Sequence, residues 1–123
     1  MNKKTNSDFI KSYTDSYFLK SKEIIKKNGD VIVTYAVFIR RPGIIALKIA
    51  IDWIKEVAKE RKIKIQTSSP FKEGDFFGAG EPILYIKGSF KNIVDLETIF
   101  LQKIGPACIA AANAYQMCMD LPK

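Results

Sequence analysis

Residues 73–88 read Glu-Gly-Asp-Phe-Phe-Gly-Ala-Gly-Glu-Pro-Ile-Leu-Tyr-Ile-Lys-Gly. The first half is turn chemistry: Lys72-Glu73-Gly74-Asp75 marks a reverse turn, and Gly78, Gly80 and Pro82 punctuate the residues after it. Ile83-Leu84-Tyr85-Ile86 is then a short apolar run rich in residues that favour extended backbone, bounded by Gly88. It predicts a buried strand that stops at Gly88.

Working outward, Val31-Ile-Val-Thr-Tyr-Ala-Val-Phe38 is β-branched and aromatic without Gly or Pro, which predicts a second buried strand. Arg40-Arg41-Pro42-Gly43 ends it. Ile63 and Ile65 alternate with lysines and Gln66, the pattern of a half-buried strand. Helical periodicity fills the rest. Thr14 is a plausible cap for a helix to about Asn28, with Gly29 just past its end. Leu47, Ala50, Ile51, Ile54, Val57 and Ala58 form one stripe over 46–61, widened by Trp53. Ser89 or Asn92 can cap a helix through Ile104, and Gly105-Pro106 predicts a break before an alanine-rich helix from Ala107 to Met119. The order α, β, α, β, β, α, α is that of an α+β fold.

The chain has 123 residues, 47% hydrophobic and 27% charged, which suits one domain with a real core. It has no histidine, so Ser-His-Asp and Cys-His catalysis are excluded, as are imidazole metal ligands. Cys108 and Cys118, ten residues apart on one helix, would stand about 15 Å apart, beyond any disulfide. They read as reduced packing residues, which favours the cytoplasm. The polar, lysine-rich start has no apolar signal core, and the stretch from Ile44 to Ala58 is broken by Lys48, Asp52, Lys55 and Glu56, so no membrane span is expected.

Twenty Lys and Arg against 13 Asp and Glu give a net charge of +7. The lysines are scattered along helix faces and ends, with no nucleic-acid-binding motif among them. They read as solvated surface, and a small polyanion such as phosphate is a better expectation than nucleic acid. Arg40 and Arg41 come directly after a strand, and a guanidinium held there suits phosphate oxygens bidentately; a surface pair in a loop is the alternative. Asp15 sits in the first helical turn, where it complements the dipole. Tyr17 is either core or a ring offered to an aromatic ligand. The glycines of 73–88 invite comparison with biotinyl and lipoyl carrier domains, but no lysine stands in a carrier tetrapeptide.

Three motifs line up in order with one family. Thr14-Asp-Ser-Tyr17 resembles the T-D-x-Y near the start of nicotinate and nicotinamide phosphoribosyltransferases. Phe38-Ile-Arg40-Arg41-Pro42 resembles their F-x-R-x-x-P segment, one residue shorter before the proline. Gly80-Glu-Pro-Ile-Leu-Tyr-Ile-Lys-Gly88, followed by Leu96-Glu97-Thr98 and Leu101, is similar to a run that quinolinate phosphoribosyltransferases share. Ala110 to Ala114 looks like the alanine helix leading toward their barrel.

The resemblance implies an N-terminal domain of the type II phosphoribosyltransferases over residues 1–123, with 107–123 the helix that leads to the barrel. It implies an antiparallel or mixed sheet with flanking helices, the catalytic α/β barrel being absent. The reaction implied joins nicotinate and phosphoribosyl pyrophosphate into nicotinate mononucleotide and pyrophosphate, in NAD salvage. By motif position Tyr17 would stack on the pyridine, Asp15 would help place it, and Arg40, with Arg41 as helper, would reach phosphate groups. Glu97 would be structural. No catalytic residue and no metal ligand falls in this chain; Mg²⁺ and ATP belong to the complete enzyme and neither binds this chain alone. The partners implied are a barrel polypeptide or second subunit, in a homo-oligomer, with no nucleic acid and no membrane. The isolated chain is expected to be inactive. Quinolinate or nicotinamide as substrate, and a non-catalytic interaction module of the same fold, are the alternatives.

Overall fold

The computed structural model describes residues 10 and 16–120, with side chains at Ile10 and from residue 20 onward. In chain order the elements are α1 (Ser16–Asn28), β1 (Ile32–Phe38), β2 (Gly43–Ile44), α2 (Lys48–Arg61), β3 (Ile65–Ser68), β4 (Phe76–Phe77), β5 (Pro82–Ser89), α3 (Phe90–Ile93) and α4 (Glu97–Asp120). The fold is α+β, as expected, and the described residues contain no barrel.

The run from 82 to 89 is the centre of the molecule. β5 lies between β1 and β3, antiparallel to both, so that Ile86 faces Tyr35 on one side and Thr67 on the other. Ile83, Leu84 and Ile86 are each at most 1% exposed. Gly88 does not stop this strand; it pairs with Val33 and Ile65 inside the sheet. A Cβ there would sit 3.2 Å from the Lys64 carbonyl oxygen and 3.4 Å from the Ile93 side chain, so the glycine admits close packing rather than ending the strand.

β1 also departs from expectation. It is an edge strand with Ile32 66% and Phe38 52% exposed, and only Val37 is fully buried. A β-branched run looks alike in the middle and at the edge of a sheet, because composition reports extended backbone and not the number of neighbours. One face, carrying Tyr35, Val37, Leu84 and Ile86, joins the core with Ala50, Trp53, Ile54 and Val57 of α2 and Ile99, Phe100 and Ile104 of α4. The Tyr35 and Phe100 rings stand 6.3 Å apart between centroids. The other face, with Ile32, Thr34, Ala36, Gln66, Ser68 and Lys87, is exposed.

α1 ends as expected: the Gly29 N–H bonds the Ile25 carbonyl at 2.8 Å. The Thr14 cap lies outside the described residues. α2 closes on Lys62, left-handed at φ 55. Its start carries no side-chain cap of its own; the Leu47 N–H instead donates to Glu73 across the fold at 2.6 Å. The small β2–β4 pair, Gly43 with Phe77 and Ile44 with Phe76, lies beside α4.

The single helix expected from Ser89 or Asn92 is instead two, α3 and α4, separated at Val94–Leu96. Conversely, Gly105-Pro106 does not split α4, which runs unbroken from Glu97 to Asp120. Ile99, Phe100, Ile104 and Cys108 are all buried on one side of it, and that packing across the proline outweighs the lost backbone hydrogen bond. Pro106→Ala should therefore restore that bond and stabilise the domain, by about 1–3 kcal/mol, read as a higher urea midpoint at unchanged slope. A lower midpoint would mean that the ring itself packs productively.

Candidate functional site

Because β1 is an edge strand, its open side meets the first turns of α4 and leaves a cleft of about 400 Å³. Tyr35, Phe38, Arg40, Glu97, Phe100 and Leu101 are among its lining. The strand delivers Arg40 two residues past its end, and Glu97 enters as the first residue of α4. A guanidinium thus stands beside aromatic and apolar side chains, with one carboxylate across from the strand. Such a cleft can take a flat or apolar group against its rings and an anionic oxygen at the guanidinium.

The predicted residues divide between the cleft and the start of α1. Arg40 is exposed and lines the cleft; Arg41 is exposed beside it but is not part of the lining. Glu97, singled out by the Leu-Glu-Thr motif, is at the same cleft. Tyr17 is the second residue of α1, and its side chain lies outside the described residues, as does all of Asp15. Of the residues singled out, the structure brings Arg40 and Glu97 together at one cleft.

A second cleft of about 580 Å³, between α1 and α3, is lined by Lys22, Lys26, Lys91 and Asp30 among others. Two of its charged side chains, Lys22 and Asp30, are already engaged. Lys22 pairs with Asp95 at 2.8 Å, and Asp30 accepts from the Ser89 hydroxyl and from the Lys91 N–H. The Ser89 bond holds the Asp30 carboxyl below its ordinary range.

Sequence reasoning passed over Asp95, the one buried charged residue among the described residues. Arg61 reaches both of its oxygens at 3.1 Å, and Lys22 adds a third contact. Burial alone would raise the Asp95 carboxyl; the bonds from Arg61 and then Lys22 outweigh it and hold the group below the usual carboxylate range. A lone aspartate between Val94 and Leu96 is its only signal in the sequence, and that does not name its partners. Cys108 is buried, with its thiol pushed up by burial, and Cys118 is exposed; both are free, as the spacing required. Among the described residues no three His, Cys, Asp or Glu gather as a metal site. No described helix is long and apolar enough to cross a membrane.

No family model matches the sequence, and no curated protein matches it significantly. Solved structures do. Nicotinate-nucleotide pyrophosphorylase from Pyrococcus furiosus superposes with a TM-score of 0.61 at 29% identity, over 85% of this chain and 28% of that one. The enzyme of the same name from Francisella tularensis gives 0.53 at 20% identity, over 84% of this chain and 37% of its own. NadC from Streptococcus pyogenes gives 0.55 at 21% identity, over 85% and 38%. The chain thus spans between 28 and 38% of the length of these structures. Its fold is that of the N-terminal domain of nicotinate-nucleotide pyrophosphorylases.

Proposed function

We propose that this chain serves as the N-terminal domain of a cytoplasmic phosphoribosyltransferase of NAD biosynthesis that makes nicotinate mononucleotide. The observation that carries the reading is the superposition on the Pyrococcus furiosus enzyme over 85% of the chain, with Arg40 among the residues lining a cleft. In the reaction the bond from ribose C1 to pyrophosphate breaks and a bond from C1 to the pyridine nitrogen forms, through an oxocarbenium-like state. Arg40 would hold phosphate oxygens with its planar fork while that charge separates. Tyr17 would cover the pyridine and Asp15 would help to place it, with Arg41 assisting Arg40.

Exposed apolar side chains around the last turns of α4 support a barrel as partner. Tyr115, Met117 and Met119 are 44%, 70% and 64% exposed, and Phe76 meets the Tyr115 ring edge-on at 5.0 Å. A surface of this kind on a small domain is normally covered. Magnesium and ATP, which the family resemblance implies for a complete enzyme, find no matching donor set here: Glu97 is the only carboxylate among the described residues of the cleft. Their ligands would come from elsewhere in that enzyme.

Nicotinate is the substrate proposed. Quinolinate is the second reading, favoured by the run from Gly80 to Gly88 that quinolinate enzymes share. The test is complementation. The purified chain should turn over neither pyridine with phosphoribosyl pyrophosphate, and adding a barrel polypeptide of this enzyme type should produce mononucleotide from one of them. Turnover by the chain alone would overturn the reading as a dependent N-terminal domain, and none with any barrel that binds it would point instead to a non-catalytic interaction module.

A further inference from the structure

We infer that Glu81 is a positioning residue for Arg40, acting through a turn that grips the backbone of the arginine's neighbour. The inference rests on the proposed role of Arg40 at a phosphate group and adds a residue to that site.

Three restraints converge on the loop from Ile39 to Pro42. Upstream, the β1–β5 register slips: Val37 faces Leu84 but Phe38 faces Pro82, which leaves Ile83 as an extra residue in β5. A bulge of this kind bends the strand and re-aims the residues beyond it. Downstream, Gly43 pairs with Phe77. Between them, outside either ladder, the Gly80 N–H donates to the Ile39 carbonyl at 2.8 Å, one residue before Arg40.

That donor is available because the turn over 78–81 is held in shape. Gly80 stands at φ +79, where a side chain would be strained. The Glu81 carboxylate closes the turn by accepting the Gly78 N–H at 2.6 Å, while the Glu81 N–H reaches back to the Gly78 carbonyl at 3.3 Å. A carboxylate on a backbone N–H is a charge-assisted bond, stronger than a neutral one. Glu81 therefore sets the turn, the turn aims the Gly80 N–H, and that N–H fixes the peptide leading into Arg40. Glu81 itself is exposed and absent from the cleft lining, so its influence on an anion would run through Arg40.

The test titrates the full chain with pyrophosphate, monitoring the backbone amide resonances of Ile39, Arg40 and Gly80. Arg40→Ala should abolish the titration. Glu81→Ala should weaken it about fivefold to tenfold and expose the Gly80 amide to hydrogen exchange. Glu81→Gln should restore both to within about twofold, since its amide oxygen can accept the Gly78 N–H. Unchanged resonances in β5 and α2 would confirm that each variant is folded. If Glu81→Ala titrates like the parent while Arg40→Ala is silent, the positioning role is overturned and the phosphate reading stands. If Arg40→Ala titrates like the parent, or the parent itself does not titrate, the phosphate reading falls and takes the inference with it. A glutamine variant as weak as the alanine one would also overturn the proposed hydrogen bond.

Discussion

Ile86→Ala should lower the unfolding free energy by about 3–4 kcal/mol, while Ile32→Ala in the neighbouring strand should change it by less than about 0.5 kcal/mol. The two residues are the same type and both lie in strands of one sheet. Ile86 is 1% exposed, with a strand on each side and α2 and α4 packed across its face. Removing three carbons there loses their transfer free energy and leaves a cavity that two paired strands cannot easily close. Ile32 is 66% exposed on the open face of the edge strand and has little burial to lose. Against a total of roughly 6–18 kcal/mol for a domain of this length, the first change is severe and the second invisible. Urea unfolding of both variants measures the difference. Equal costs would mean that β1 and β5 are buried alike, contrary to the strand order.

That contrast also marks how far the sequence could be read. Ile83 to Ile86 is legible as a buried strand because a short apolar run bounded by turn residues favours a covered position in a sheet, although Tyr85, on the open face, is only half-buried. Val31 to Phe38 was legible as a strand but not as an edge, since position in a sheet is a property of partners far away in the chain. The helix break at Gly105-Pro106 was misread for a related reason. The cost of a proline is local, and here it is outweighed by Ile99, Phe100, Ile104 and Cys108, which are buried on both sides of it along the helix. At the site, Arg40 was legible because a charge placed just after a strand is held by that strand. Glu97 was marked by its motif but not as a neighbour of Arg40, because 57 residues separate them and only the fold joins them. Glu81 was hidden for the opposite reason. It sits in a stretch whose glycines explain the turn so readily that the carboxylate closing it draws no notice.

Asp95→Ala should cost about 2–4 kcal/mol, far more than any other exchange of a single charge in the described residues. The carboxylate is 7% exposed and binds three helices together, taking Lys22 from α1 and Arg61 from the end of α2 into the junction ahead of α4. Losing it leaves two cations without their counter-ion, though both keep part of their surface in water and can turn outward, which caps the penalty. By contrast Lys48 and Asp52, both largely exposed, form a pair whose removal should be nearly silent. The same carboxylate gives the domain an acid limit. Its folded pKa lies below the unfolded value, so its contribution is complete above about pH 4 and declines as pH falls through that value toward the folded one. Asp95→Asn removes this dependence, and its stability should fall less steeply than the parent's between about pH 5 and pH 2. The loss should also be felt along one helix, because Lys22 ties α1 to Asp95. Hydrogen exchange along α1 separates the two effects. In Asp95→Asn the amides of Lys22 to Asn28 should lose protection while those of β5 keep it; uniform loss in both would mean that Asp95 stabilises the whole domain and holds no particular helix.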